Sequence, residues 1–375
     1  MRQTKMKVAN VTSVIEDMIP LGLAQSWDNV GLLIGDAKAR VSRILLTIDV
    51  TREVVAEARA MKAQLIVAYH PVIWDALKSV TTDGPGRVVY ELVRSGIAVF
   101  SIHTALDAAI GGVNDGLAEI VGIADPKPIG DYVPNPAGDT YKLVVFVPTD
   151  AANRLADAIF AAGAGHIGNY SHCGWSVEGT GTFLPLDGAK PAIGKKGRLE
   201  EVREVRLEAI VAGDKLAGVI AAMRKAHPYE MPAFDVLRLD NPQDKFGLGR
   251  IGRLARPMRI AEIVRRIKKA TGAKAIGLVG QTDRLIKTAA VCAGSCGKII
   301  NLVIAAKADL YLTGELKHHQ ALAAQQAGLT CICLSHTVSE RFILKKFARQ
   351  LQSRLDSVTI RISRKDAEPF NWKNI

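Results

Sequence analysis

The sequence predicts an α/β protein: a two-part α/β/α core with a mainly parallel sheet, interrupted by an inserted α+β segment. Three observations predict it. Short β-rich runs alternate with helical stretches in the first third of the chain, and the same rhythm returns in the last third. A Pro/Gly-rich texture marks the middle off from both.

In the first part, Ile44–Asp49, Leu65–Tyr69 and Ile97–Ile102 read as strands. Their β-branched apolar content without alternation is that of strands covered on both faces. The stretches Arg52–Ala63, Gly86–Arg94 and Val113–Val121 read as the helices that cover them. In the last part, strands fall at Thr288–Cys292, Ala308–Leu312, Thr330–Leu334 and Val358–Ile362, with helices at Lys298–Ala306, Gln320–Ala327 and Val338–Leu355. Pro126–Gly130 and Val133–Asp139 lead into the inserted segment, and Asn241–Asp244 with the Gly247–Gly252 run leads out of it. Inside lie a strand (Tyr141–Pro148), a helix (Ala152–Ala162), a Gly-rich hairpin region, a strand (Glu204–Val211) and a helix (Lys215–Lys225), the parts of a small α+β sandwich. The expected boundaries are 1–127 and 247–375 for the core and 128–246 for the insert.

Composition narrows the class. At 375 residues the chain has room for two or three domains of about 150 residues. Its 48% hydrophobic and 23% charged content excludes a disordered, collagenous or coiled-coil protein. No apolar run approaches the roughly 20 residues that span a bilayer, so no membrane association is expected. The basic residues near Met1 lead into a mixed polar and apolar pattern without the continuous apolar run of a secretory signal, and a cytoplasmic location is expected. Five cysteines, an odd number with no Cys-x-x-Cys pair, argue against both a disulfide framework and a structural zinc knot.

The net charge of +12 is unevenly placed: Asn241–Ala290 carries twelve Lys/Arg and three Asp/Glu, a local net of +9. Such a stretch could attract nucleotides or nucleic acid. A solvated helix face is favoured, because Ile260, Ile263, Val264 and Ile267 form one stripe with the cations opposite, and stacking aromatics are missing.

Three segments place polar ligands where a parallel strand ends, which is where α/β sheets bind ligands. His70 closes an apolar strand and is followed by Pro71. His103 and Asp107 follow a second strand. His336 and Glu340, four apart at the start of a helix, face one way. Imidazoles and carboxylates converging there suit a divalent transition metal such as zinc, iron or manganese. Read singly, each cluster fits a strand-end histidine held by a carbonyl or a plain i,i+4 pair better than a ligand set, and convergence in the fold is what favours the ligands. Cys292–Ile300 follows a strand and opens a helix, so its backbone N–H groups suit an anion, although the Walker A spacing fails. His318 and His319 read as a polar cleft wall, His227 as a structural turn, and Trp27, Asp28 and Asn29 as a capped turn without chemistry.

The run Ser26–Gly35, the three clusters, and Thr313–His319 together resemble the GTP cyclohydrolase 1 type 2 homologue family, also called the Ngg-interacting-factor-like family, over nearly the whole chain. The insert, with Gly163–Tyr170 and Ala226–Glu230, resembles the PII/CutA-like domain of its longer bacterial members. The resemblance implies a dinuclear site in a cleft of the core, with His70, Asp107, His336 and a bridging Glu340 as ligands. Tyr69 stands where the family has a further histidine, and a neutral phenol is a poor ligand. One ion, or a labile second, is therefore expected, with Tyr69 as phenolate or His103 as a substitute ligand or a donor to one. Ser295, Gly297 and Glu315 are the expected lining of the substrate cleft. The resemblance further implies a homohexamer built as a trimer of dimers, and metal-dependent hydrolysis of a nucleotide-like substrate. A metal-binding scaffold without catalysis and a ring-shaped nucleic-acid-binding protein are the alternatives.

Overall fold

The computed structural model describes residues 6–241 and 246–370. It is a mixed α/β structure with three sheets, gathered in two compact units, one ending at Pro134 and resuming at Phe246, the other running from Asn135 to Asn241.

The first unit holds two sheets where the sequence reading expected one. The five-stranded sheet runs in the order Gly31–Ile34, Ala98–Ser101, Leu65–Ala68, Arg43–Thr47, Thr359–Ile362. All its neighbours are parallel except the first pair. Its last strand comes from the end of the chain, so the two segments are joined inside one sheet. Leu65–Ala68 and Ala98–Ser101 are buried along their whole length, as a central strand covered on both faces must be.

The six-stranded sheet has the order Gly277–Val279, Thr330–Cys333, Leu310–Thr313, Leu285–Cys292, Gly249–Arg259, Lys127–Ile129. Its three inner strands Thr330–Cys333, Leu310–Thr313 and Leu285–Cys292 are parallel, and the remaining pairs are antiparallel. The difference from the expected single sheet lies in the Gly247–Gly252 run, read as a linker but largely built into an eleven-residue strand. Its glycines serve close packing: a Cβ at Gly252 would stand 2.6 Å from the Ile123 side chain, and one at Gly249 2.9 Å from Ile129. Residues 128–134, expected in the insert, lie in the first unit, where Val133 bridges Phe246. The other expected boundary adjoins residues 242–245, which lie outside the described residues.

The two halves share one core, in which Val8, Ile15, Phe100, Val113 and Leu117 cluster with Val291, Leu312, Ile343 and Phe347. Arg250, 3% exposed, fastens the segments together. Its guanidinium pairs with Asp115 and donates to the carbonyls of Ala108, Ala109, Gly247 and Gly249. The basic stretch forms the helix Ile260–Thr271 with Ile260, Ile263 and Ile267 buried.

The second unit is a four-stranded antiparallel sheet, in the order Gly174–Phe183, Glu200–Ala212, Thr140–Pro148, Phe234–Leu239. The helices Ala152–Ala161 and Gly213–Ala226 bury Leu155, Ile159, Val219 and Met223 against Leu143, Val145, Leu207 and Val211 of the sheet. Among the described residues, no helix is long and apolar enough to cross a membrane.

Candidate metal centre

The centre forms where strands of both sheets of the first unit end. His70 follows Leu65–Ala68, held in place because its backbone N–H continues the ladder to the Ile48 carbonyl, 3.0 Å away. His336 follows Thr330–Cys333 through Ser335, which sits at φ +78°. That left-handed backbone is unusual for a residue with a side chain. It is fixed by the Ser335 N–H donating to Gly314 O and the hydroxyl donating to Glu368 Oε2. Glu340 lies on the short helix Val338–Arg341 and is 2% exposed.

His70, His336 and Glu340 each offer one ligand atom, and these atoms lie within 4.8 Å of one another. His336 Nε2 is 3.3 Å from Glu340 Oε1, and His70 Nε2 is 3.5 Å from Glu340 Oε2. The outer nitrogen of each ring is taken by a second carboxylate: His70 Nδ1 meets Asp49 at 2.8 Å and His336 Nδ1 meets Glu315 at 2.5 Å. Such pairing fixes tautomer and ring direction and turns the inner nitrogen toward a common point, as metal-binding imidazoles require.

The residues fit a divalent ion on one decisive observation. Among the described residues, the buried side-chain atoms without a hydrogen-bond partner are His70 Nε2 and Glu340 Oε2, and they face each other. Orphaning two buried polar atoms costs about 1–3 kcal/mol each unless something else satisfies them. Two imidazole nitrogens and a carboxylate form a donor set that zinc and iron accept. The electrostatics agree. Burial works against charge on His70, yet Asp49 and Glu340 push its pKa up to about 10, so the pocket attracts a cation. Burial likewise opposes charge on Asp49, but the His70 hydrogen bond and charge hold it below the ordinary carboxylate range.

Asp107, 7% exposed on the helix His103–Ala108, lies outside the three-donor group, and its Oδ1 accepts the Tyr69 hydroxyl. Burial, aided by the Asp107 and Glu340 charges, raises the Tyr69 phenol well above its ordinary value. Tyr69 is thus a neutral hydrogen-bond donor, which argues against the expected phenolate. His103 Nδ1 meets Asp28 Oδ1 at 2.9 Å, while Asp28 Oδ2 accepts from the Thr104 backbone and hydroxyl.

The expected cleft lining is arranged differently. Gly294 stands against the centre: a Cβ there would lie 2.7 Å from Glu340 Oε1 and 3.4 Å from His336 Nε2. Gly297 packs on the Gln320 amide instead, Ser295 is exposed, and Glu315 acts on His336. Cys292 and Cys296 bracket Gly294 with Cα atoms 6.2 Å apart and their sulfurs side by side. His318 and His319 are exposed at the start of their helix, and His227 Nε2 meets Phe146 O at 2.9 Å within the second unit. The sequence reading missed Asp49 and gave Asp28 no role. Each carries a signal: Asp49 closes a strand beside His70, and Asp28 sits in the Trp-Asp-Asn turn.

A mixed α/β fold with two imidazoles and a carboxylate gathered at its strand ends defines a candidate metal-binding protein. The chain belongs to the Duf34/NIF3 (NGG1p interacting factor 3) family, whose pattern matches residues 6–369. Among its relatives, the GTP cyclohydrolase 1 type 2 homolog of Mycobacterium tuberculosis is 40% identical over 372 residues, covering 97% of each chain. That of Bacillus subtilis is 37% identical, covering 96% of this chain and 97% of its own. The crystal structure of a Bacillus cereus protein related to NIF3 superposes with a TM-score of 0.88 at 37% identity, covering 99% of this chain and all of the other. Staphylococcus aureus protein SA1388 gives 0.77 at 26% identity with the same coverage.

Proposed function

We propose that this chain binds a divalent transition metal through His70, His336 and Glu340, with Asp107 beside them, and uses it to hydrolyse a nucleotide-like substrate. The facing orphaned atoms His70 Nε2 and Glu340 Oε2 carry the proposal. An ion held there by His70, His336 and Glu340 would supply Lewis acidity. Asp49 and Glu315 keep the two imidazoles aimed inward, and Glu340 offers one oxygen to each. Asp107, pushed up to about 6 by burial against the opposing pull of His103 and the Tyr69 hydroxyl, can hold or release a proton near neutrality. The names of the relatives, homologs of a GTP cyclohydrolase, support the nucleotide-like substrate class. For the second unit we propose a PII/CutA-like module, supported by its four-stranded antiparallel sheet with two packed helices.

The test is metal content by elemental analysis after loading with zinc, iron(II) or manganese, for the parent chain and Glu340→Ala, together with nucleotide hydrolysis before and after chelation. Hydrolysis that disappears with the metal supports the full reading. Stable metal without turnover leaves a metal-binding scaffold. Equal metal in parent and Glu340→Ala overturns the centre.

A further inference from the structure

Beside the centre stand two tryptophans that the hydrolysis reading does not use. Trp27 and Trp74 are 62% and 56% exposed, yet their rings lie within 10° of parallel with centroids 6.4 Å apart. Both meet His103 edge-on, at 5.9 Å and 5.2 Å, and Trp74 lies 6.1 Å from the His70 ring. The indoles are therefore one ring away from the metal donors.

Their loops are tied down. The Asn29 amide donates to Ile73 O at 2.7 Å, joining the Trp27 turn to the segment that carries Trp74. Asp28 fastens the same turn to His103 and Thr104, and Gln25 N–H donates to the Thr104 hydroxyl. A large aromatic left more than half in water gives up most of the stabilisation that burial would bring. Stacking the two indoles on tied loops keeps an exposed aromatic face ready at a reduced ordering cost for binding.

We propose that Trp27 and Trp74 form a stacking platform for the planar heteroaromatic ring of the substrate, whose anionic tail then reaches the His70–Glu340–His336 donors. This rests on the metal-centre reading for the tail, but not for the ring. Every nucleobase presents a π-face, and the hydrogen-bonding groups at the platform, Asp28 and Asn29, are engaged with the protein, so the platform reads ring shape and tolerates base identity.

The experiment is isothermal titration of the zinc-loaded full chain with AMP, GMP and ribose 5-phosphate, on the parent, Trp27→Ala, Trp74→Ala and Trp74→Phe. Elemental analysis and light scattering accompany each protein. AMP and GMP are expected to bind alike and more tightly than the ring-less sugar phosphate. Each alanine variant should lose about tenfold in affinity for both mononucleotides and nothing for ribose 5-phosphate, with partial recovery in Trp74→Phe and unchanged zinc content. Mononucleotide binding indifferent to all three substitutions overturns the platform. So does ribose 5-phosphate binding as tightly as AMP. A change of molecular mass in the variants would assign the pair to a second copy of the chain and overturn it equally. If the parent carries no zinc but still binds AMP through the tryptophans, the metal reading fails while the platform stands.

Discussion

The phenol of Tyr69 donates its hydrogen to Asp107 Oδ1, and both side chains are shut away from solvent. A carboxylate in such a position needs a donor or a cation, and the tyrosine supplies the former. Tyr69→Phe removes the donor while keeping the ring, so Asp107 should take up its proton at higher pH and the fold should lose about 1–3 kcal/mol at pH 7. Urea denaturation reads the loss, and an unchanged midpoint would show that the bond contributes nothing.

Tyr69→His offers an imidazole where a buried phenol stands. The zinc content per chain is expected to rise above that of the parent at equal free metal, because a nitrogen ligand replaces a neutral hydroxyl. Elemental analysis decides it; equal content in the two proteins would place Tyr69 out of reach of any second ion.

Asp49→Asn keeps shape and removes the charge that orients the His70 ring. Metal affinity should fall about 10- to 100-fold, the usual cost of losing such an orienting carboxylate. Competition with a chromogenic chelator measures it, and an affinity equal to the parent's would detach Asp49 from the centre.

Gly294→Ala places a methyl group 2.7 Å from Glu340 Oε1 on a backbone at φ +66°. The strain and the contact should together lower both thermal stability and metal content. The same substitution at Gly297 would meet only the flexible end of Gln320, so it should leave metal content unchanged.

Far from the centre, burial opposes charge on Asp309, but the backbone N–H groups of Lys287 and Thr288, the Thr288 hydroxyl and Arg284 hold its pKa below the ordinary value. A carboxylate depressed by folding stabilises above its unfolded pKa, near 3.9, and loses that contribution as pH falls through the lower folded value. Asp309→Asn should therefore be less stable than the parent at pH 7, with the gap closing below about pH 4. Equal differences at pH 7 and pH 3 in denaturant titrations would contradict this.

His70, His336 and Glu340 were legible in the sequence because each follows a run whose composition marks a buried strand, and strand ends converge. Asp49 and Asp28 were not, because their work is to face a ring 21 and 75 residues away, a relation that only the register of the sheet and the loop packing create. The Gly247–Gly252 run misled for a related reason. Glycine marks both a flexible linker and a place where two backbones touch, and the neighbours that decide, Ile123 and Ile129, lie in another part of the chain. The final strand of the second unit was expected to begin at His227 but runs from Phe234 to Leu239, where exposed and half-buried residues carry no apolar run to mark its start.

Val133 and Phe246 close the chain on itself, with the Val133 N–H donating to Phe246 O at 3.0 Å, and both side chains pack on the core of the first unit. The span between them is in polymer terms a loop whose ends are already pinned. Loop-closure entropy grows only logarithmically, by about 0.6 kcal/mol per doubling of length. Going from a tight turn to a folded module between those two residues therefore costs the core only about 3 kcal/mol of closure entropy, so the bridge tolerates large changes in the length of what hangs from it.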